Sequence, residues 1–68
     1  MVRPQNLIGQ TTLAIDPFLG PDWKIISGVA APASGGCVTY GDGKGNEVFF
    51  IYSNECIITD AGIESALF

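Results

Sequence analysis

Five large apolar residues in succession, Val48-Phe49-Phe50-Ile51-Tyr52, stand between two turn-rich clusters, Gly41-Asp42-Gly43-Lys44-Gly45-Asn46 and Ser53-Asn54-Glu55. A short run of β-branched and aromatic residues bounded by turn formers reads as a strand. A strand with one wet face alternates apolar and polar side chains, and this one is apolar on both faces. The middle of its sheet therefore needs cover on both sides. Two arrangements supply it: a neighbouring subunit laid over the second face, or a sheet curved into a small barrel around one core.

The flanking segments extend this strand into an antiparallel meander. Residues 37–40 and 56–59 read as strands on either side of residues 47–52, and the glycine-rich loop 41–46 reads as a hairpin. Upstream, residues 23–29 read as a further strand. Residues 11–15 read as the first, ended by Asp16-Pro17 because proline cannot donate to a ladder. Residues 1–10 carry Pro4 and no hydrophobic period, which predicts an extended arm. Asp60 is placed to cap a short helix over residues 60–67, with Ile63 and Leu67 on one face. The expected fold is mainly β: a small antiparallel sheet or partly open barrel of about five strands, with an extended N-terminal arm over 1–10, a single β domain over 11–68 and a short C-terminal helix.

Composition narrows the function. The chain has 68 residues, of which 47% are hydrophobic and only 15% charged, against about 25% charged in ordinary soluble domains. Its mean hydropathy is +0.34. A small domain has too much surface for its volume to hide so much apolar side chain, and apolar surface left over is commonly buried against a partner. The net charge is −4, and Arg3, Lys24 and Lys44 are the only basic residues. A phosphate backbone or an anionic membrane surface is held by several Lys or Arg contacts, so neither nucleic acid nor membrane is expected as a partner. The seven acids are scattered, unlike the dense array of a DNA mimic. No apolar stretch reaches the length of a membrane span. No signal-peptide core follows the N-terminus, so synthesis in a cytoplasm without a signal peptide is expected.

No catalytic or cofactor set emerges. With no histidine and two cysteines, the chain has no expected metal or cofactor, and no base stands ready for a Ser, Thr or Cys nucleophile. The loop from Asp42 departs from a calcium-binding loop, because Lys44 sits where a ligand is needed and Ser53 where the bidentate Glu belongs. It is expected to be a hairpin turn. In the meander, Cys37 and Cys56 lie on strands two spacings apart, about 9.6 Å. A disulfide needs Cα atoms within roughly 7 Å. Both are therefore expected as free, buried thiols.

These features point to a non-enzymatic structural subunit of a larger protein assembly. The most specific form is a small virion protein, a capsid cement or decoration or tail-associated protein, that stabilises subunit junctions. Its partners would be itself, as a homo-oligomer or lattice component, or a larger shell or tube subunit. The arm would lie on a neighbour, so that its removal would leave the β domain folded. Pro4, Leu7, Ile8, Phe18, Trp23 and Phe68 are the candidate interface residues, the aromatics because such side chains are enriched at interface hot spots. The alternative is a small acidic inhibitor or adaptor that binds one protein target.

Overall fold

In a computed structural model of the chain, residues 3–28 and 35–64 are described. They form a helical N-terminal segment followed by an open antiparallel sheet of four strands in sequence order, β1 (Lys24–Gly28), β2 (Gly36–Gly41), β3 (Glu47–Tyr52) and β4 (Ile58–Ile63). The mainly β, antiparallel character expected from the sequence is present, and the meander runs through β2, β3 and β4. Among the described residues the strands number four rather than about five, and they do not close into a barrel.

The difference lies at the N-terminus. Residues 3–10 form no extended arm. A 3₁₀ turn at Pro4–Leu7 tucks Pro4 and Leu7 into the core. Proline opens such a turn readily, because its missing N–H would have no partner there in any case. Nor are residues 11–15 a strand. A second 3₁₀ turn, Thr12–Ala14, runs into a short helix, α1 (Ile15–Leu19). Asp16 and Pro17 open this helix rather than end a strand. A carboxylate is favourable in a first turn, and a proline there forfeits no intrahelical bond. Gly20 stops the helix at φ 93°, its N–H donating to the Asp16 carbonyl at 2.9 Å.

The core fills the space between this segment and one face of the sheet. Ile15, Leu7 and Leu19 meet Val38, Tyr40, Val48, Phe50, Tyr52, Ile58 and Ala61, with Ala14, Phe18 and Trp23 packed around them. The Tyr40 and Phe50 rings meet edge to face, centroids 6.1 Å apart, the arrangement aromatic quadrupoles favour. The segment after the first turn also covers one edge of the sheet. The Gly9 N–H donates to the Ile58 carbonyl and the Ile58 N–H to the Gln10 carbonyl, both at 2.8 Å, and Thr11 bridges Ile57.

At the other end of the chain, β4 continues through Asp60, Ala61, Gly62 and Ile63, where a helix was expected. Asp60 caps nothing helical; its carboxylate accepts the Ala61 N–H at 2.9 Å. Pairing with β3 outweighs the low strand preference of these residues. Ala61 fits beneath the core opposite Phe50, and Gly62 lies opposite Phe49. A methyl group on Gly62 would stand 2.7 Å from the Phe49 ring, so the glycine gives that ring its place. The rest of the expected helix, residues 65–67, lies outside the described residues.

Candidate functional site

The alternation along β3 separates two faces. Val48, Phe50 and Tyr52 are buried, whereas Phe49 is half-buried and Ile51 is 38% exposed. The register carries that division across the sheet. Facing away from the core are Glu47, Phe49 and Ile51 of β3, paired with Gly41, Thr39 and Cys37 of β2. Beyond them on β4 lie Asp60 and Gly62, paired with Ile51 and Phe49. On β1, Lys24 pairs with Gly41 and Ser27 with Thr39. An irregularity between Ile25 and Ser27 adds Ile26 to this face, where its side chain would stand 3.3 Å from a methyl group on Gly41 and stays 53% exposed. A bulge of this kind re-aims a side chain that strict alternation would send to the other face. On the face turned away from the core, Ile26, Ile51 and Cys37 are exposed, Phe49 is half-buried and Thr39 is buried. Ile26 covers Gly41 and the Phe49 ring covers Gly62.

The interface residues expected from the sequence are placed elsewhere. Pro4 and Leu7 are buried in the core, and Phe18 and Trp23 pack half-buried against it. Ile8 is 45% exposed on the N-terminal segment. Phe68 lies outside the described residues. Sequence reasoning did not single out Ile26, Cys37, Thr39, Phe49 or Ile51. Phe49 and Ile51 were within reach, since a strand apolar on both faces must present one set outward. Ile26 was not, because its orientation depends on the bulge. Leu13, on the N-terminal segment, is 85% exposed. An apolar side chain exposed by itself is ordinary.

The Asp42 carboxylate ties the hairpin loop together. One oxygen accepts the Lys44 and Asn46 N–H groups at 2.8 and 3.2 Å, and the other accepts the Asn46 side-chain amide at 2.8 Å. The Asn46 side chain, then the Lys44 N–H, hold this carboxyl below its ordinary value, against a small opposing effect of desolvation. Burial raises the Tyr40 phenol, helped by the Asp16 carboxylate that accepts its hydroxyl, and burial likewise raises Tyr52. Both cysteines are free thiols, but they are not buried as expected: Cys37 lies exposed on the outward face and Cys56 is half-exposed. Cys56 sits in the turn before β4 in a left-handed conformation, φ 62°. Among the described residues no group of three or more Cys, Asp or Glu is placed to hold a metal ion, and no helix is long and apolar enough to cross a membrane. No family model, no curated protein and no solved structure matches the chain.

Proposed function

We propose that the chain is a non-enzymatic structural subunit of a larger protein assembly, seated on its neighbours through the outward face of the sheet. The observation that carries this reading is the exposure of Ile26 and Ile51, beside a half-buried Phe49, on the sheet face turned away from the core. An antiparallel sheet that ends in water presents polar side chains on its wet face, and here the middle of that face is apolar. The scarcity of charge in the sequence agrees with it. The most specific form of the proposal is a small virion protein that stabilises subunit junctions in a capsid or tail; it rests on economy of size alone.

Sedimentation of the isolated chain across a concentration series tests the proposal. Mass rising with concentration supports an assembly subunit. A folded monomer near 7.2 kDa at every concentration overturns it and favours a small acidic inhibitor or adaptor.

A further inference from the structure

The outward face of the sheet is apolar in its middle and acidic along one side. Ile26 and Ile51 are exposed beside the half-buried Phe49. On β4, the alternation that puts Ala61 in the core turns Asp60, Gly62 and the following Glu64 outward, and both acids are exposed. Glu47 stands on the same face of β3, opposite Gly41. Among the described residues, Lys24 at the far edge on β1 is the one cation on this face. We propose that this face docks a basic amphipathic helix of a partner protein, its apolar stripe over Ile26, Phe49 and Ile51 and its lysines or arginines along β4. The inference rests on the assembly reading above for the seat, and names the chemistry of the neighbour.

Charge selects a cationic partner. The Glu64 N–H donates to the Glu47 carbonyl at 2.7 Å, so the two glutamates are directly opposite on neighbouring strands, their Cβ atoms about 5 Å apart. Like charges in that relation are destabilising. Lys24 lies in the same row, two strand spacings from Glu47 and three from Glu64, about 9.6 and 14.4 Å. Lys44, in the hairpin loop, acts on the Asp42 carboxyl. The chain thus supplies one cation for three carboxylates. A second copy would bring the same three carboxylates onto this face. A cationic partner instead relieves the Glu47–Glu64 repulsion and meets carboxylates that docking takes partly out of water.

The layout selects a helix. The acids lie beside the apolar residues, in a column parallel to the strands, because β4 is the neighbour of β3. An amphipathic helix presents an apolar stripe with charged residues along its flank, which is the same side-by-side layout. A strand sends alternate side chains to opposite faces, so its charges leave the docking side when its apolar residues occupy it. The spacing agrees. Asp60 and Glu64 are four residues apart on β4, about 13.6 Å. Residues seven and eleven apart share one flank of a helix at about 10.5 and 16.5 Å, which bracket that distance within the reach of a lysine or arginine. A helix on this face also completes a common layer architecture, a sheet covered by helical elements on both faces.

Titration calorimetry of the full chain tests this, with far-ultraviolet circular dichroism as the check on folding. The probes are a synthetic amphipathic peptide of leucine and lysine, about 18 residues long so that it holds a helix, and its counterpart with glutamate in place of lysine. The lysine peptide should bind and the glutamate peptide should not. Glu64→Lys and Asp60→Lys should each weaken the lysine peptide roughly 2- to 30-fold, an exposed attraction turned into repulsion. Glu55→Lys changes the net charge equally but lies in the turn between β3 and β4, so at physiological salt it should leave the affinity within about 2-fold. Ile51→Ser should cost at least about 5-fold, and that loss should persist at high salt where the Glu64→Lys loss fades. Glu55, Asp60 and Glu64 are exposed, so their variants decide the matter even if Ile51→Ser disturbs the sheet. A wild type that ignores the lysine peptide, that binds the glutamate peptide equally, or that loses as much through Glu55→Lys as through Glu64→Lys overturns the inference. A chain that self-associates yet ignores the lysine peptide overturns this inference and leaves the assembly reading standing. A monomer that binds the peptide through this face does the reverse and favours the adaptor.

Discussion

Asp42 shows how one carboxylate sets the shape of a hairpin loop. It satisfies the Lys44 and Asn46 N–H groups and the Asn46 amide, none of which has a ladder partner through those bonds. Gly43 and Gly45 turn around it at φ 78° and 95°. Its pKa is lowered on folding, so the stabilisation it gives is present above the ordinary carboxyl value of 3.8 and is lost as pH falls through the folded value. Asp42→Ala should therefore lower the melting temperature at neutral pH. The difference from wild type should shrink to nothing in strong acid, and thermal melts at several pH values check it. Gly28 is constrained differently. It sits at φ 81° opposite Val38, and a methyl group there would overlap the Cys37 carbonyl oxygen. Left-handed strain of about 1–2 kcal/mol adds to a backbone clash that only strand movement relieves. The gain from a stiffer unfolded chain, about 0.4–1 kcal/mol, does not offset them. Gly28→Ala should cost about 2 kcal/mol or more, read as a fall in urea midpoint at unchanged slope.

Among the elements, the strands were legible in the sequence and the helical segment was not, for a physical reason. The β2–β3 hairpin carries its own signals, a glycine-rich turn and flanking β-branched and aromatic runs, and these act over a few residues. Residues 3–19 have no comparable local code. Thr11-Thr12-Leu13-Ala14-Ile15 has strand-like composition, yet it is helical because Ile15 and Leu19 each lie one turn apart on the face that meets the sheet. That choice is made by tertiary packing, which overrides propensity in so short a stretch. The outward face was half legible. Phe49 and Ile51 follow from a strand apolar on both sides, but Ile26 needs the bulge. The same correction changes the role of residues 3–10. They hold the β4 edge and bury Leu7 at 4% exposure, so they belong to the domain rather than to a neighbour. Leu7→Ala should cost about 2–5 kcal/mol, a large share of the roughly 3–10 kcal/mol expected for a domain of this length. Removal of residues 1–10 should unfold the sheet. Urea denaturation of both variants measures this, and a truncated chain that keeps its cooperative transition would return the segment to the role of an arm.

The described residues form a two-layer structure with a single core, the helical segment on one side and the sheet on the other. The inner layer keeps its polar groups few and paired. No buried side-chain nitrogen or oxygen among the described residues lacks a hydrogen-bond partner, as expected where a lost bond costs more than a made one contributes. Tyr40 and Tyr52 are buried side by side on adjacent strands. Burial raises both above the ordinary tyrosine value of 10.0, and for Tyr40 the nearby Asp16 carboxylate adds to the shift. A group whose pKa is raised on folding contributes stability that is whole below its unfolded value and is lost as pH climbs through the folded value. The fold should therefore hold its melting temperature up to about pH 10 and lose stability above, as the unfolded chain releases phenolic protons that the folded one retains. Phenolate absorbance should rise together with the loss of circular dichroism, in one cooperative step. Tyr52→Phe should shift that step to higher pH, because it removes one of the two protons that link ionisation to unfolding. Tyr40→Phe should do the same while also freeing Asp16, so its effect at neutral pH isolates the hydroxyl–carboxylate bond. If the tyrosines titrate with the fold intact, both rings are wetter than their place between the two layers requires.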